Sequence, residues 1–225
     1  MHSRSYEPEI LDEDGCSEED IRVSLDFMGG INKHLGGISL ILDFLKRHAK
    51  EDRFTVLDIA TGAGDIPHAI SRWTEKQGKI AEITAIDTNA HCIAYARRRH
   101  GAGSIHYLEH SAFDIAALGE FDFITSSLFF HHLNDEDVVQ LLKLMHRHSR
   151  RGFVVNDLYR SWVPYIGVLL LASATRKKIV INDGPLSVKR AFREPDLHRY
   201  AEAAGLKNFE VRRKPVYRIS LASVK

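Results

Sequence analysis

From Phe54 onward, apolar positions fall into short β-branched runs separated by stretches with helical spacing. The first run, Phe54-Thr-Val-Leu-Asp-Ile-Ala-Thr-Gly-Ala-Gly-Asp65, closes on an acid and then a Gly-x-Gly turn. That is the pattern of a buried parallel strand feeding a tight loop into a helix. Strands are predicted at 54–60, 80–87, 104–109, 121–127 and 152–157, and helices at 65–77, 90–99 and 134–149 lie between them. Regular alternation of this kind predicts an α/β fold built on a doubly wound, mostly parallel sheet. The alternation stops after Asp157. An apolar helix over 162–175 is followed by Arg176-Lys-Lys, a turn signal at Asn182-Asp-Gly-Pro, and a helix from Glu194 to Gly205. Strands at 208–213 and 216–223, divided by Lys214-Pro215, predict a C-terminal antiparallel hairpin at one sheet edge and bring the sheet to seven strands. Before the first strand, Ser17-Glu-Glu-Asp-Ile reads as a capped helix start. Short helices follow over 21–27 and 38–45, broken at Gly29-Gly30 and Gly36-Gly37. Residues 1–18, with Glu-Pro-Glu and Asp-Glu-Asp-Gly, read as a frayed acidic end.

Composition narrows the class. The chain has 225 residues, 44% hydrophobic and 27% charged, which suits one soluble domain with a sizeable core. A net charge of +1 supplies no field for nucleic acid or an acidic membrane surface. Cys16 and Cys92 make no disulfide framework. No apolar segment follows Met1 as a leader would require, and 162–174 falls short of the roughly 20 apolar residues needed to span a bilayer. A cytoplasmic location is expected. The expected organisation is a single domain over 1–225, with a helical cap at 1–48, a ligand-binding core at 54–157 and a substrate lid at 158–194. The lid carries Trp162, Tyr165 and Leu169–Leu171, and the cap carries Phe27 and Met28. These apolar groups read as cover for an apolar or aromatic small molecule, or as core packing or a homodimer contact.

In an open α/β sheet, ligands bind beyond the carboxyl ends of the strands. Four strand ends should therefore line the site: Asp58, Ala60, Gly62 and Gly64; Asp87 and Thr88; Ser111 and Ala112; Ser126 and Ser127, followed by Phe129-Phe-His-His-Leu133. A lone acid at the end of the second strand can take two ribose hydroxyls. Two carboxylates beside one glycine loop suit a cationic, adenosine-bearing ligand better than a pyrophosphate, which points to S-adenosyl-L-methionine. His131, His132 and Asp157 are candidates for a base toward a phenol or enol acceptor. No metal is expected, because no third His, Cys or carboxylate stands near His131 and His132 at ligand spacing.

Over 54–157 the chain resembles class I S-adenosylmethionine-dependent methyltransferases. That family's first loop reads Asp/Glu-x-Gly-x-Gly-x-Gly, and Asp58-x-Ala60-Thr61-Gly62-x-Gly64 matches it with alanine at the first glycine. The resemblance implies a Rossmann-like sheet, ribose binding by Asp87, and Ser111-Ala112 where the family often has an adenine-contacting Asp. The run 121–133 is similar to the ubiquinone-biosynthesis-like branch of small-molecule methyltransferases. The implied activity is O- or C-methylation of a small aromatic or polyketide-like acceptor. Three other readings are weighed against it. A nicotinamide dehydrogenase needs a third glycine where Pro67 stands. A silent cofactor-binding partner subunit conflicts with an intact loop and Asp87. RNA or protein methylation is disfavoured by the neutral charge and by the lack of an Asn/Asp-Pro-Pro-Tyr-like motif.

Overall fold

The computed structural model describes residues 1, 3–12, 16–101 and 103–225. A seven-stranded sheet forms its centre, in the order β3-β2-β1-β4-β5-β7-β6. The strands are β1 (Arg53–Ile59), β2 (Ile80–Asp87), β3 (Ile105–Glu109), β4 (Phe121–Ser127), β5 (Ser149–Leu158), β6 (Phe209–Lys214) and β7 (Arg218–Val224). The first five run parallel. The C-terminal hairpin adds the antiparallel pair, and β7 lies between β5 and β6. This is the expected doubly wound, Rossmann-like α/β architecture.

Central strands are buried on both faces, which explains why β1 and β4 read as near-continuous apolar runs. One face packs against α5 (Asp135–His148) and α8 (Glu194–Ala203) through Phe153, Leu141 and Tyr200. The other packs against α2 (Gly37–His48), α3 (Asp65–Lys76) and α4 (Ala90–His100) through Phe44, Ile70 and Ala96. α1 (Glu18–His34) begins at Ser17, whose hydroxyl accepts the Asp20 N–H at 3.1 Å.

Three expectations fail here. Gly29-Gly30 does not break α1; a side chain at Gly29 would stand 2.8 Å from the Asp65 carboxylate, so the glycine admits close approach of α1 to the start of α3. Gly36 does interrupt, in the left-handed conformation that begins α2. Asn182-Asp-Gly-Pro is not a turn but the middle of α7 (Lys178–Arg190). α7 forms a hairpin with α6 (Trp162–Thr175), and Gly184 lets the pair close where a Cβ would meet Val168 at 2.9 Å. Tertiary packing overrides the local breaker signal. Lastly, residues 4–12 are not frayed, while the acidic 13–15 lie outside the described residues. Asp183 accepts the Ile10 and Leu11 N–H groups at 2.9 and 3.1 Å, and Ser5 N–H donates to the Lys189 carbonyl. These contacts strap the N-terminal segment across the carboxyl side of the sheet. Among the described residues no helix is long and apolar enough to cross a membrane.

Candidate active site

The site grows out of the β1 and β2 ends. Asp58 pairs in register with Thr125 and accepts its hydroxyl at 2.7 Å. Only 2% exposed, Asp58 lies under the loop, and burial pushes its carboxyl up to about 7. Ala60 adopts φ +54, the left-handed region, at the position where the family has its first glycine. Asp87 Oδ2 accepts the Gly62 N–H at 2.9 Å and Oδ1 the Asn89 N–H at 3.0 Å, so one carboxylate ties the glycine loop to the start of α4. Burial pushes the Asp87 carboxyl up as well, against the pull of those two N–H groups.

A cleft of about 650 Å³ opens above these groups. Ala60, Gly62, Asp87, Thr88 and Ala112 line it. The other expected cofactor residues stand outside the lining. Asp58 and Thr61 are buried beneath the loop. Gly64 faces Ala96 and Tyr107, where a Cβ would stand 3.0 Å from each. Ser111 caps the short helix Ala112–Leu118 by accepting the Phe113 N–H. Ser126 is fully buried, and Ser127 accepts a hydrogen bond from the Asn156 side chain at 2.8 Å. The glycine motif thus marks a loop whose alternate residues face inward and outward. Glu109, His110 and Asn89 line the cleft unforeseen, although they neighbour the predicted Ser111 and Thr88.

Beyond β4 the Phe130–His132 turn carries the histidines. His131, 3% exposed, places Nδ1 2.7 Å from Asp157 Oδ1, while its backbone N–H donates to Asp157 Oδ2 at 3.0 Å. Burial would raise the Asp157 carboxyl, but the imidazole and the backbone N–H groups hold it below the ordinary range. His132 Nδ1 lies 2.7 Å from Asp12 Oδ1. Burial is likewise outweighed at Asp12, whose carboxyl His132, the Glu9 N–H and Arg190 hold low. Both imidazoles aim Nε2 at Glu9, 3.7 Å from Oε1 for His131 and 3.9 Å from Oε2 for His132. Burial pushes the Glu9 carboxyl up to about 7.

Two arginines lock the turn. Arg190 donates to the His131 and His132 carbonyls and to Asp12, and Arg4 donates to the carbonyls of His131 and Leu133. Glu9, Asp12, Arg4 and Arg190 were missed in the sequence because they come from the N-terminal segment, far from the histidines along the chain, or from the far end of α7, with no local motif to mark them. Only the acidic character of the N-terminal segment was visible.

A second, apolar chamber of about 70 Å³ adjoins the cleft. Phe27, Met28, Val168 and Val180 wall it, with Glu9 and His131 at its polar end. Leu11, Met28, Leu128 and His132 border both cavities. Leu128, at φ +58, is a strained residue at that boundary. The apolar residues expected to cover the acceptor divide: Phe27 and Met28 of the cap face the chamber, whereas Trp162, Leu170 and Leu171 of the lid are more than half exposed on the outer side of α6.

The profile of a family described as a methyltransferase domain matches residues 56–152, the part that builds the cleft. No curated protein matches the sequence. Among solved structures, the chain is similar to a plantazolicin methyltransferase in complex with S-adenosylhomocysteine, at 12% identity and TM-score 0.72, over 94% of this chain and 91% of that one. It is also similar to an S-adenosylmethionine-dependent methyltransferase from Aquifex aeolicus, at 19% identity and TM-score 0.64, over 92% and 98%. Human N-acetylserotonin methyltransferase in complex with S-adenosylmethionine aligns at 16% identity and TM-score 0.66, over 93% of this chain, which spans 56% of the human chain. The chain likewise spans 64% of an O-methyltransferase-like protein from Nostoc punctiforme. At such identities these likenesses concern the fold. Residues 56–152 carry a methyltransferase domain, an enzyme domain of the transferase class.

Proposed function

We propose that this chain, through its methyltransferase domain, uses S-adenosylmethionine to methylate an oxygen or carbon of a small, apolar or aromatic acceptor. One observation carries the reading: the polar cleft beside Asp87 and the apolar chamber beside His131 share a wall made by Leu11, Met28, Leu128 and His132. A donor in the first and an acceptor in the second would meet at that wall. The cleft's volume and its acids, Asp87, Glu109 and Asp12, fit a cationic nucleoside. S-adenosylmethionine would supply an electrophilic methyl group on a sulfonium.

The protein's own part is placement and proton handling. Asp87 keeps a free lone pair on each oxygen for ribose hydroxyls while its other bonds fix the loop. A carboxylate only accepts, so the hydrogens on His131 and His132 are assigned to Nδ1, facing Asp157 and Asp12. That leaves both Nε2 lone pairs toward the chamber to receive an acceptor's proton. Asp157 is only 1% exposed and touches His131, which makes it a positioning residue. The chamber is smaller than the roughly 300 Å³ of an ordinary small-molecule pocket. A ring-sized acceptor would need the strap and the α6–α7 hairpin to move apart. The small-molecule, ubiquinone-biosynthesis-like branch suits this enclosed geometry, as do a soluble cytoplasmic setting and no nucleic-acid partner.

Calorimetric titration with S-adenosylhomocysteine and with NADH tests the reading. Saturable binding of the first alone is expected. Failure of S-adenosylhomocysteine to bind, or preference for NADH, would overturn it.

A further inference from the structure

We propose that Glu9, His131 and His132 form a site for one first-row divalent transition-metal ion, with the N-terminal strap supplying its carboxylate. Their donor atoms lie within 4.8 Å of one another. A cation held at about 2.0–2.2 Å from each would bring neighbouring donors to roughly 3–3.5 Å, so the widest pair closes by up to about 1.5 Å. The imidazoles are already oriented for it. A metal-bound histidine characteristically gives its other ring N–H to a carboxylate, which fixes the tautomer and the ring plane. Here both rings do so, at 2.7 Å, His131 to Asp157 and His132 to Asp12. Both Nε2 atoms therefore present lone pairs to the same point, opposite a third electron-rich group.

That third group is left wanting a positive partner. Glu9 is 3% exposed, and its Oε1 has no hydrogen-bond donor among the described residues. A buried carboxylate oxygen without a donor is costly. Arg190 brings Nε to 3.9 Å from Oε1, but the single Nε hydrogen goes to the His131 carbonyl, while Nη1 donates to the Glu7 carbonyl and Asp12 and Nη2 to the His132 carbonyl. Glu9, Asp12 and Asp157 bring three carboxyls to the histidines; Arg190 faces the first two and Arg218 the third. A divalent cation would give the Glu9 oxygen the electrophilic partner it lacks. Two imidazoles with one carboxylate favour zinc, iron, cobalt, nickel or manganese over magnesium or calcium. All three ligands also line the apolar chamber, so a remaining coordination position would face whatever occupies it. The site stands on these side chains alone and does not require the methyl-transfer reading; where the cation is held, both Nε2 lone pairs bind it, so the proton-accepting role of the histidines belongs to the metal-free chain.

The test uses the untagged full chain, stripped with chelator and dialysed. Titration with Co²⁺, followed by visible absorption, and with Zn²⁺, followed by calorimetry, should show one equivalent bound with nitrogen–oxygen ligand-field bands. Glu9→Gln and His132→Ala should each weaken binding at least 10-fold, and Asp12→Asn by about 10–100-fold through loss of the ring's anchor. Circular dichroism confirms that each variant is folded. No stoichiometric binding to the wild type, or binding unchanged in folded Glu9→Gln and His132→Ala, would overturn the proposal. S-adenosylhomocysteine is titrated into the same wild-type sample: binding of the nucleoside without the cation sinks this site alone, and binding of the cation without the nucleoside sinks the methyltransferase reading alone.

Discussion

Asp87 does two jobs at one carboxylate, fixing Gly62 and Asn89 while facing the cleft. Asp87→Ala is expected to weaken S-adenosylhomocysteine binding by about 1.5–3 kcal/mol, the range for hydrogen bonds to a charged group. Calorimetry on the folded variant checks this, and an unchanged dissociation constant would remove the ribose role. Ala60 is the second informative residue. It holds φ +54 where a side chain is disfavoured by roughly 1–2 kcal/mol. Ala60→Gly relieves that strain but gives back unfolded-state entropy, so a net stabilisation of about 0.5–1 kcal/mol in urea denaturation is expected. A destabilised Ala60→Gly would show that the methyl group packs usefully. Such detail was partly legible in the sequence: the acid–loop–acid spacing identified Asp87 and Gly62, while the burial of Asp58, Thr61 and Ser126 depended on which way each residue of a turn faces.

Elements with their own periodicity were read correctly, and elements defined by distant contacts were not. β1, β4 and β5 announced themselves as apolar runs because both faces of each central strand are covered, whereas β3, at the sheet edge, shows alternation instead. α7 did not, since Gly184 and Pro185 are tolerated only through packing against α6. Neither did the strap, which gains its order from Asp183, Arg190 and the 130–133 carbonyls. Asp183→Ala should release it: amide hydrogens of Ile10 and Leu11 exchange at least 10-fold faster, with the sheet amides unchanged. Equal exchange in variant and wild type would mean that the arginines alone hold the segment. Leu170, 68% exposed on α6, gives the converse expectation. Leu170→Glu should leave nucleoside affinity unchanged and shift stability by no more than about 0.5 kcal/mol. A loss of affinity would return that face of α6 to the acceptor site, where the sequence had placed it.

For the molecule as a whole, buried acids make stability depend on pH. In the folded chain the Asp58 carboxyl holds its proton up to about 7, and in the unfolded chain it releases it at its ordinary 3.8. Between those values the folded state binds more protons, so this group's contribution is full below about pH 4 and is lost as pH rises through 7. Relative to Asp58→Asn, the wild type should therefore lose stability from pH 4 to 7, measured by urea midpoints at each pH. Parallel profiles would place the carboxyl in a wetter setting than its burial indicates. The sheet order has a further consequence. Because β7 fills the gap between β5 and β6, and Arg218 at its start donates to the Leu35 carbonyl that ends α1, a ribosome making this chain releases β6 before the strand that gives β6 a neighbour. Until β7 emerges, the nascent sheet ends at β5 with an open edge, and the N-terminal cap waits for a tether that lies 183 positions further along the chain.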